Sequence, residues 1–400
     1  MKFNKSGQLL LVAAASLVAS AMLSACATLT VDFVYVTSAL ASASNNAGVV
    51  DVFEVNSESG FMRQIPSSPF PSGGRNPVAE VVSPGSSSLY VVNKDDNSIV
   101  QFTIGNDGKL YPNSTVNTPG IFPLAVARSS SFLFVADLYQ PLPTCSSASP
   151  CTGSVGVFPI NADDTLNTAV SNVSGNTNYW PLTLPANSAA VIAPTAIATD
   201  ASGNYLYVAA YDTTTTPAVG YIFGFSVGSD GTLTPLNSGV PFSAGQHPSA
   251  LAEDPSGSYL YATDYDGRGV LSYSIGSGGL LTAVSGSPFA SGAGPQAVAV
   301  DTTGKYAYVA NSQDSNVTAY SINAGVLTSL GTFATGLRPV AIGIDPSLNQ
   351  YLYTANFLGS NVSGFQIQSD GTLLNAQNSP YTSNAQVTAV AAITHNGQKN

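Results

Sequence analysis

A short β-rich phrase returns seven times along the sequence: Val34-Tyr35-Val36, Leu89-Tyr90-Val91, Leu133-Phe134-Val135, Leu206-Tyr207-Val208, Leu260-Tyr261-Ala262, Ala307-Tyr308-Val309 and Leu352-Tyr353-Thr354. Successive copies lie about 45 to 75 residues apart, a period that belongs to architectures assembled from one supersecondary unit. Every copy except the first is preceded by a segment that opens with Pro and often closes in Asp-x-x-Gly, as in residues 248–257 and 295–304. Each copy is followed by a run centred on an aromatic: Phe53, Phe102, Phe158, Phe225, Tyr273, Tyr320 and Phe365. Most units then show an Asp-Gly turn, as in 229–233 and 369–373, before a weaker last strand.

Four short strands per unit, bounded by Gly, Asp, Asn and Pro turns, form one blade of a propeller. The first strand is small and apolar because blades crowd near the axis, and the Tyr and Phe of the next two fill the wider wedges between blades. Pro fits just ahead of the inner strand, where no ladder bond is lost. The first unit lacks its inner strand, and the missing piece stands at the other end, in residues 387–393. A C-terminal strand that completes the N-terminal blade closes the ring and removes a free sheet edge. The expectation is an all-β, seven-bladed β-propeller of four-stranded antiparallel blades, a single domain over residues 31–400 with an elaborated third unit at 139–152 and 171–193.

Composition fits that fold. Only 8% of the 400 residues are charged while 44% are hydrophobic, too little charge for a disordered acidic tail. With 11 Lys+Arg against 22 Asp+Glu the net charge is −11, which argues against nucleic acid as a partner.

The first 25 residues read as a leader. Lys2 and Lys5 supply a basic start, and an apolar stretch from Leu9 to Ala21 is too short to span a bilayer comfortably. The stretch ends in Leu23-Ser24-Ala25-Cys26, which resembles the lipobox of bacterial lipoproteins; an ordinary signal peptide with Cys26 incidental is the alternative. The expected protein is therefore extracytoplasmic and held to the membrane at Cys26 through a short tether, residues 26–30. In such an oxidising compartment Cys145 and Cys151, six residues apart in a polar loop, are expected to form a disulfide; two cysteines without a nearby His make a poor zinc site.

Other chemistry finds little support. The carboxylates of 93–97 and 264–267 lack the spacing of a calcium loop and read as turns, and His395 near the C-terminus reads as idle. No Gly-rich phosphate loop follows a strand and opens a helix, so no cofactor and no metal are expected.

Tyr308-Val309-Ala310-Asn311 and Tyr353-Thr354-Ala355-Asn356 resemble the Tyr-Val-Thr-Asn propeller repeats. With the Asp-Pro-x-Gly and Asp-Gly-x-Leu turns, the whole mature chain is similar to the lactonase family of seven-bladed propellers, which includes bacterial 6-phosphogluconolactonases and fungal muconate lactonising enzymes. That family often carries Gly-x-Gly-Pro-Arg-His ahead of its inner strands, placing Arg and His at the channel mouth. Here no copy has Arg-His after the Pro, and the nearest candidates precede it: Arg75, His247 and Arg338.

Chain direction puts the loops before each inner strand and after each Tyr-centred strand on one face, the candidate functional face. Opening a lactone needs a base for water and donors for the developing oxyanion. His247 is the candidate base, Arg338 or Arg75 the oxyanion or carboxylate holder, and Glu80 and Glu253 on inner strands the candidate second acid/base groups, with Arg128 pairing one of them. Tyr139 and Trp180, in the two elaborations, are candidate lid residues. The leading expectation is a monomeric, lipid-anchored binding or scaffold module for an envelope protein or glycan. The alternative is a hydrolase of a non-phosphorylated lactone or cyclic ester.

Overall fold

In the computed structural model, which describes residues 30–39, 47–56, 58–172, 176–346, 349–384 and 386–394, seven antiparallel sheets stand in a ring. The leader, Cys26 and His395 lie outside the described residues. Each sheet starts from an inner strand: Pro77–Val82, Ile121–Arg128, Ile192–Thr199, Pro248–Glu253, Pro295–Val300, Pro339–Ile344 and Val387–Thr394. Neighbouring inner strands touch round the full circle, and Val387–Thr394 sits between Pro339–Ile344 and Pro77–Val82. It pairs with the N-terminal strand Thr30–Ser38, so blade 1 is built from both chain ends, as the missing inner strand implied. The propeller begins one residue earlier than expected, because Thr30 already pairs with Asn56.

The core is divided among the wedges. Seven buried apolar clusters occur among the described residues, one at each interface between adjacent blades. The central Tyr of the repeated phrase lies in these wedges, fully buried at Tyr35, Tyr90, Tyr207, Tyr261, Tyr308 and Tyr353. A buried phenol needs an acceptor, and several reach the turn of the following blade: Tyr35 donates to the Gly108 carbonyl (3.1 Å), Tyr207 to Gly279 (2.9 Å) and Tyr308 to Gly371 (3.1 Å). At these positions Tyr rather than Phe both fills the wedge and bonds one blade to the next, whereas the hydroxyls of Tyr261 and Tyr353 find no partner among the described residues.

One sequence expectation fails in blade 3. Trp180 is not a lid residue. It forms the outer strand Trp180–Pro181 against Ser154–Pro159 and is buried in the cluster between blades 3 and 4. An indole of that size in a segment returning from a long excursion is anchored by burying its area in the wedge. The other elaboration does lie on the expected face. Cys145 and Cys151 are disulfide-bonded (Cα–Cα 5.3 Å), and the loop's ends close on each other through Gln140 N–H to the Thr152 carbonyl, 3.1 Å.

Candidate functional site: the channel mouth

The register of the inner strands fixes where the mouth is. Pro77 lies opposite Asn93, Pro123 opposite Asp137, Pro248 opposite Asp264, Pro295 opposite Asn311 and Pro339 opposite Asn356. The Pro near the start of the first strand and the Asn or Asp near the end of the second thus share one face. Immediately after that level every inner strand carries a β-bulge, leaving one extra residue: Val78, Leu124, Thr195, Ser249, Gln296, Val340 and Thr388. A bulge bends its strand and re-aims a side chain, and four of these seven residues (Leu124, Thr195, Ser249 and Gln296) line a cavity of about 540 Å³ at the mouth. Thr195 and Ser249 also donate to the carbonyls of Pro248 and Pro295 on the next blade, both at 2.6 Å, which fixes the rim.

His247 and Arg338 line this same cavity, together with Lys94, Tyr211 and Tyr265. His247 is held from three sides. Its backbone N–H donates to Asp264 Oδ1 (2.8 Å), while Gln246 N–H donates to Oδ2 (2.9 Å), so the buried Asp264 sets the loop. Its ring lies against Tyr211 (centroids 4.1 Å apart) and Tyr265 (5.7 Å). Its Nδ1 meets Asp266 Oδ2 at 3.3 Å. A carboxylate on Nδ1 favours the tautomer with the proton there, leaving Nε2 free to accept one.

The two cations of the cavity rest on aromatic faces. The Arg338 guanidinium lies 5.1 Å from the Phe357 ring centre and the Lys94 ammonium 5.7 Å from that of Phe122. Neither takes part in an ion pair among the described residues, whereas Arg63, Arg75 and Lys109 each do. In a chain of net charge −11 this leaves two uncommitted cations and an imidazole facing one space.

The remaining candidates stand elsewhere. Arg75 does not line the cavity and is committed to Asp96, its Nε at 2.6 Å from Oδ1. Glu80 and Glu253 are three and five residues beyond the Pro, roughly 10 and 16 Å down their strands at the usual rise. Burial lifts both carboxyls, Glu80 to about 7 and Glu253 to about 8, where neighbouring Asp200 adds to the effect. Arg128 pairs with neither, its Nε donating instead to the Val82 carbonyl at 2.6 Å. Tyr139 stands edge-to-face with Phe122 (6.0 Å) at the end of its strand, beside the cavity residue Leu138. Lys94, Leu138 and Tyr265 escaped the sequence reading as site residues. They share a signal, since each directly follows the Asn or Asp that lies opposite the Pro of its inner strand.

The ring thus closes on seven blades, and one mouth holds a cavity of mixed lining with a His–Asp pair and two cations. The family model described as "Lactonase, 7-bladed beta-propeller" matches residues 33–178, 165–287 and 279–389. The chain belongs to that family. Among solved structures it is similar to a Bacteroides fragilis protein provisionally assigned as a 6-phosphogluconolactonase, with 19% identity, TM-score 0.73, and coverage of 92% of this chain and 99% of that one. It is also similar to a Pseudomonas aeruginosa periplasmic gluconolactonase, with 17% identity, TM-score 0.70, and coverage of 91% and 99%. At such identities the likeness shows the fold. No curated protein matches the sequence.

Proposed function

We propose that this protein hydrolyses a small lactone at the channel mouth. The observation that carries the reading is the convergence of His247, braced by Asp266, with the unpaired Arg338 and Lys94 on one cavity of a lactonase-family propeller. His247 Nε2 takes a proton from a water molecule as its oxygen attacks the lactone carbonyl. Arg338 and Lys94 hold the negative charge that develops on the carbonyl oxygen. The imidazolium then returns the proton to the ring oxygen as the C–O bond breaks, giving a hydroxy acid. Asp264 acts through the backbone, positioning His247.

This reading displaces the scaffold expectation because a scaffold gives no reason to leave two cations uncommitted in a concave site. A panel of aldonolactones and smaller lactones tests it. Turnover should fall about 10²- to 10⁴-fold in His247→Ala and about 10²- to 10³-fold in Arg338→Gln. A folded protein with no turnover above buffer returns the scaffold reading. We also propose export and lipid anchoring at Cys26, supported by the leader-like residues 1–25; incorporation of labelled palmitate, lost in Cys26→Ser, tests it.

A further inference from the structure

The mouth cavity, about 540 Å³, has the size of a small-molecule site, and its lining is divided by chemistry. Blades 3 and 4 give it an apolar wall. Leu124 is the bulged residue of the inner strand Ile121–Arg128, and Leu138 follows Asp137, which lies opposite Pro123. Ala193 and Pro194 come from the neighbouring inner strand, Ile192–Thr199. Ala193 stands opposite Tyr211 in the ladder, and the Tyr211 ring lies against His247, so the wall reaches the imidazole. Its other end is marked by Lys94, whose ammonium rests on the Phe122 ring just ahead of Pro123.

Polar partners for a substrate are few. No Asp, Glu or Asn is among the described residues lining the cavity. Thr195 and Ser249 donate their hydroxyls to the rim carbonyls, and the Tyr265 hydroxyl accepts from Gln313 Nε2 at 3.0 Å. A sugar-derived lactone carries hydroxyls round its ring, each a donor and an acceptor. Laid against Leu124, Leu138, Ala193 and Pro194, those hydroxyls would leave water without gaining a partner, which is costly. An alkyl chain in the same place gives up no hydrogen bond and removes the wall from water.

Given the lactonase reading, on which this rests, we infer that the substrate is a lactone with an aliphatic substituent. The chain lies along the wall of blades 3 and 4, and the ring carbonyl stands between His247 and the cations.

Rates on γ-lactones with straight alkyl chains of increasing length on the ring carbon that bears the oxygen, beside glucono-δ-lactone, test this. The expected kcat/KM rises about fourfold with each added methylene until the chain outgrows the wall, and glucono-δ-lactone falls below the longer members. Leu124→Asn, which puts an amide into the wall, and Leu138→Ala, which keeps it apolar but smaller, should each lower the rise per methylene. That slope is the quantity to read, because a general loss of activity scales every member of the series alike. Thermal unfolding confirms that each variant is folded. Rates indifferent to chain length, a faster rate on glucono-δ-lactone, or a slope undiminished in both variants overturns the inference and leaves the lactonase reading standing. A folded protein that opens no lactone overturns both.

Discussion

Arg338 holds its backbone at φ +57°, in the left-handed region where a side chain with a Cβ is crowded. The equivalent place in the next-to-last repeat is filled by Gly294, at φ +64°. In the Gly-x-Gly-Pro-Arg-His pattern the cation follows the Pro and glycine precedes it; here the cation has moved onto the strained residue itself. A glycine at this position would relieve that strain. Arg338→Gly should therefore stabilise the fold by about 1 kcal/mol in urea unfolding while lowering kcat/KM on any lactone the protein opens. A variant that loses stability would show that the stacking of Arg338 on Phe357 outweighs the backbone strain. Asn76, Phe122 and Gln386 also adopt positive φ just ahead of an inner strand, at +50°, +57° and +52°, so the strain belongs to the rim as a whole.

The repeating element that makes this rim is the bulge after each Pro, and its hydroxyls tie blades together. Ser249 is the clearest case: it is buried, and its hydroxyl donates to the Pro295 carbonyl of the following blade. Ser249→Ala should cost about 1 kcal/mol, read as a lower urea midpoint with an unchanged slope, and Thr388, which donates to the Pro77 carbonyl at 2.9 Å, should behave alike at the closing blade. None of this was legible in the sequence, because a bulge is a property of register and a single sequence shows only spacing. The strands themselves were legible, since Pro, the Tyr-centred phrase and the Asp-Gly turns recur in the same order in each unit. His247 and Arg338 could be placed at the mouth from the sequence because they directly precede a recognisable Pro. Lys94 and Tyr265 were not, because a side chain from the second strand enters the mouth only once the blades stand in a ring. Trp180 was misplaced for a related reason: loop length suggested a lid, while the hydrophobic wedge between blades 3 and 4 captured the indole.

At the scale of the whole ring, closure rests on blade 1, and Glu80 of blade 2 touches both of its halves. The Glu80 carboxylate accepts from the Thr37 hydroxyl on the N-terminal strand and from the Ala391 N–H on the C-terminal strand. Its Oε1 is buried with no hydrogen-bond partner among the described residues. Burial raises this carboxyl from 4.5 to about 7, and the two hydrogen bonds only partly offset it. The folded chain thus holds a proton here that the unfolded chain has released. Its stability should fall as pH rises from 4.5 toward 7, by on the order of 3 kcal/mol from this group, and level off above. Asp137, lifted by burial to about 7, adds a slope of the same sign. Glu80→Gln keeps an acceptor for Thr37 and Ala391 but carries no charge, so it should unfold at higher urea than the parent at pH 8 and match it near pH 5. Equal midpoints at pH 8 would mean that water in the channel already solvates the ionised carboxylate, and that ring closure is indifferent to its charge.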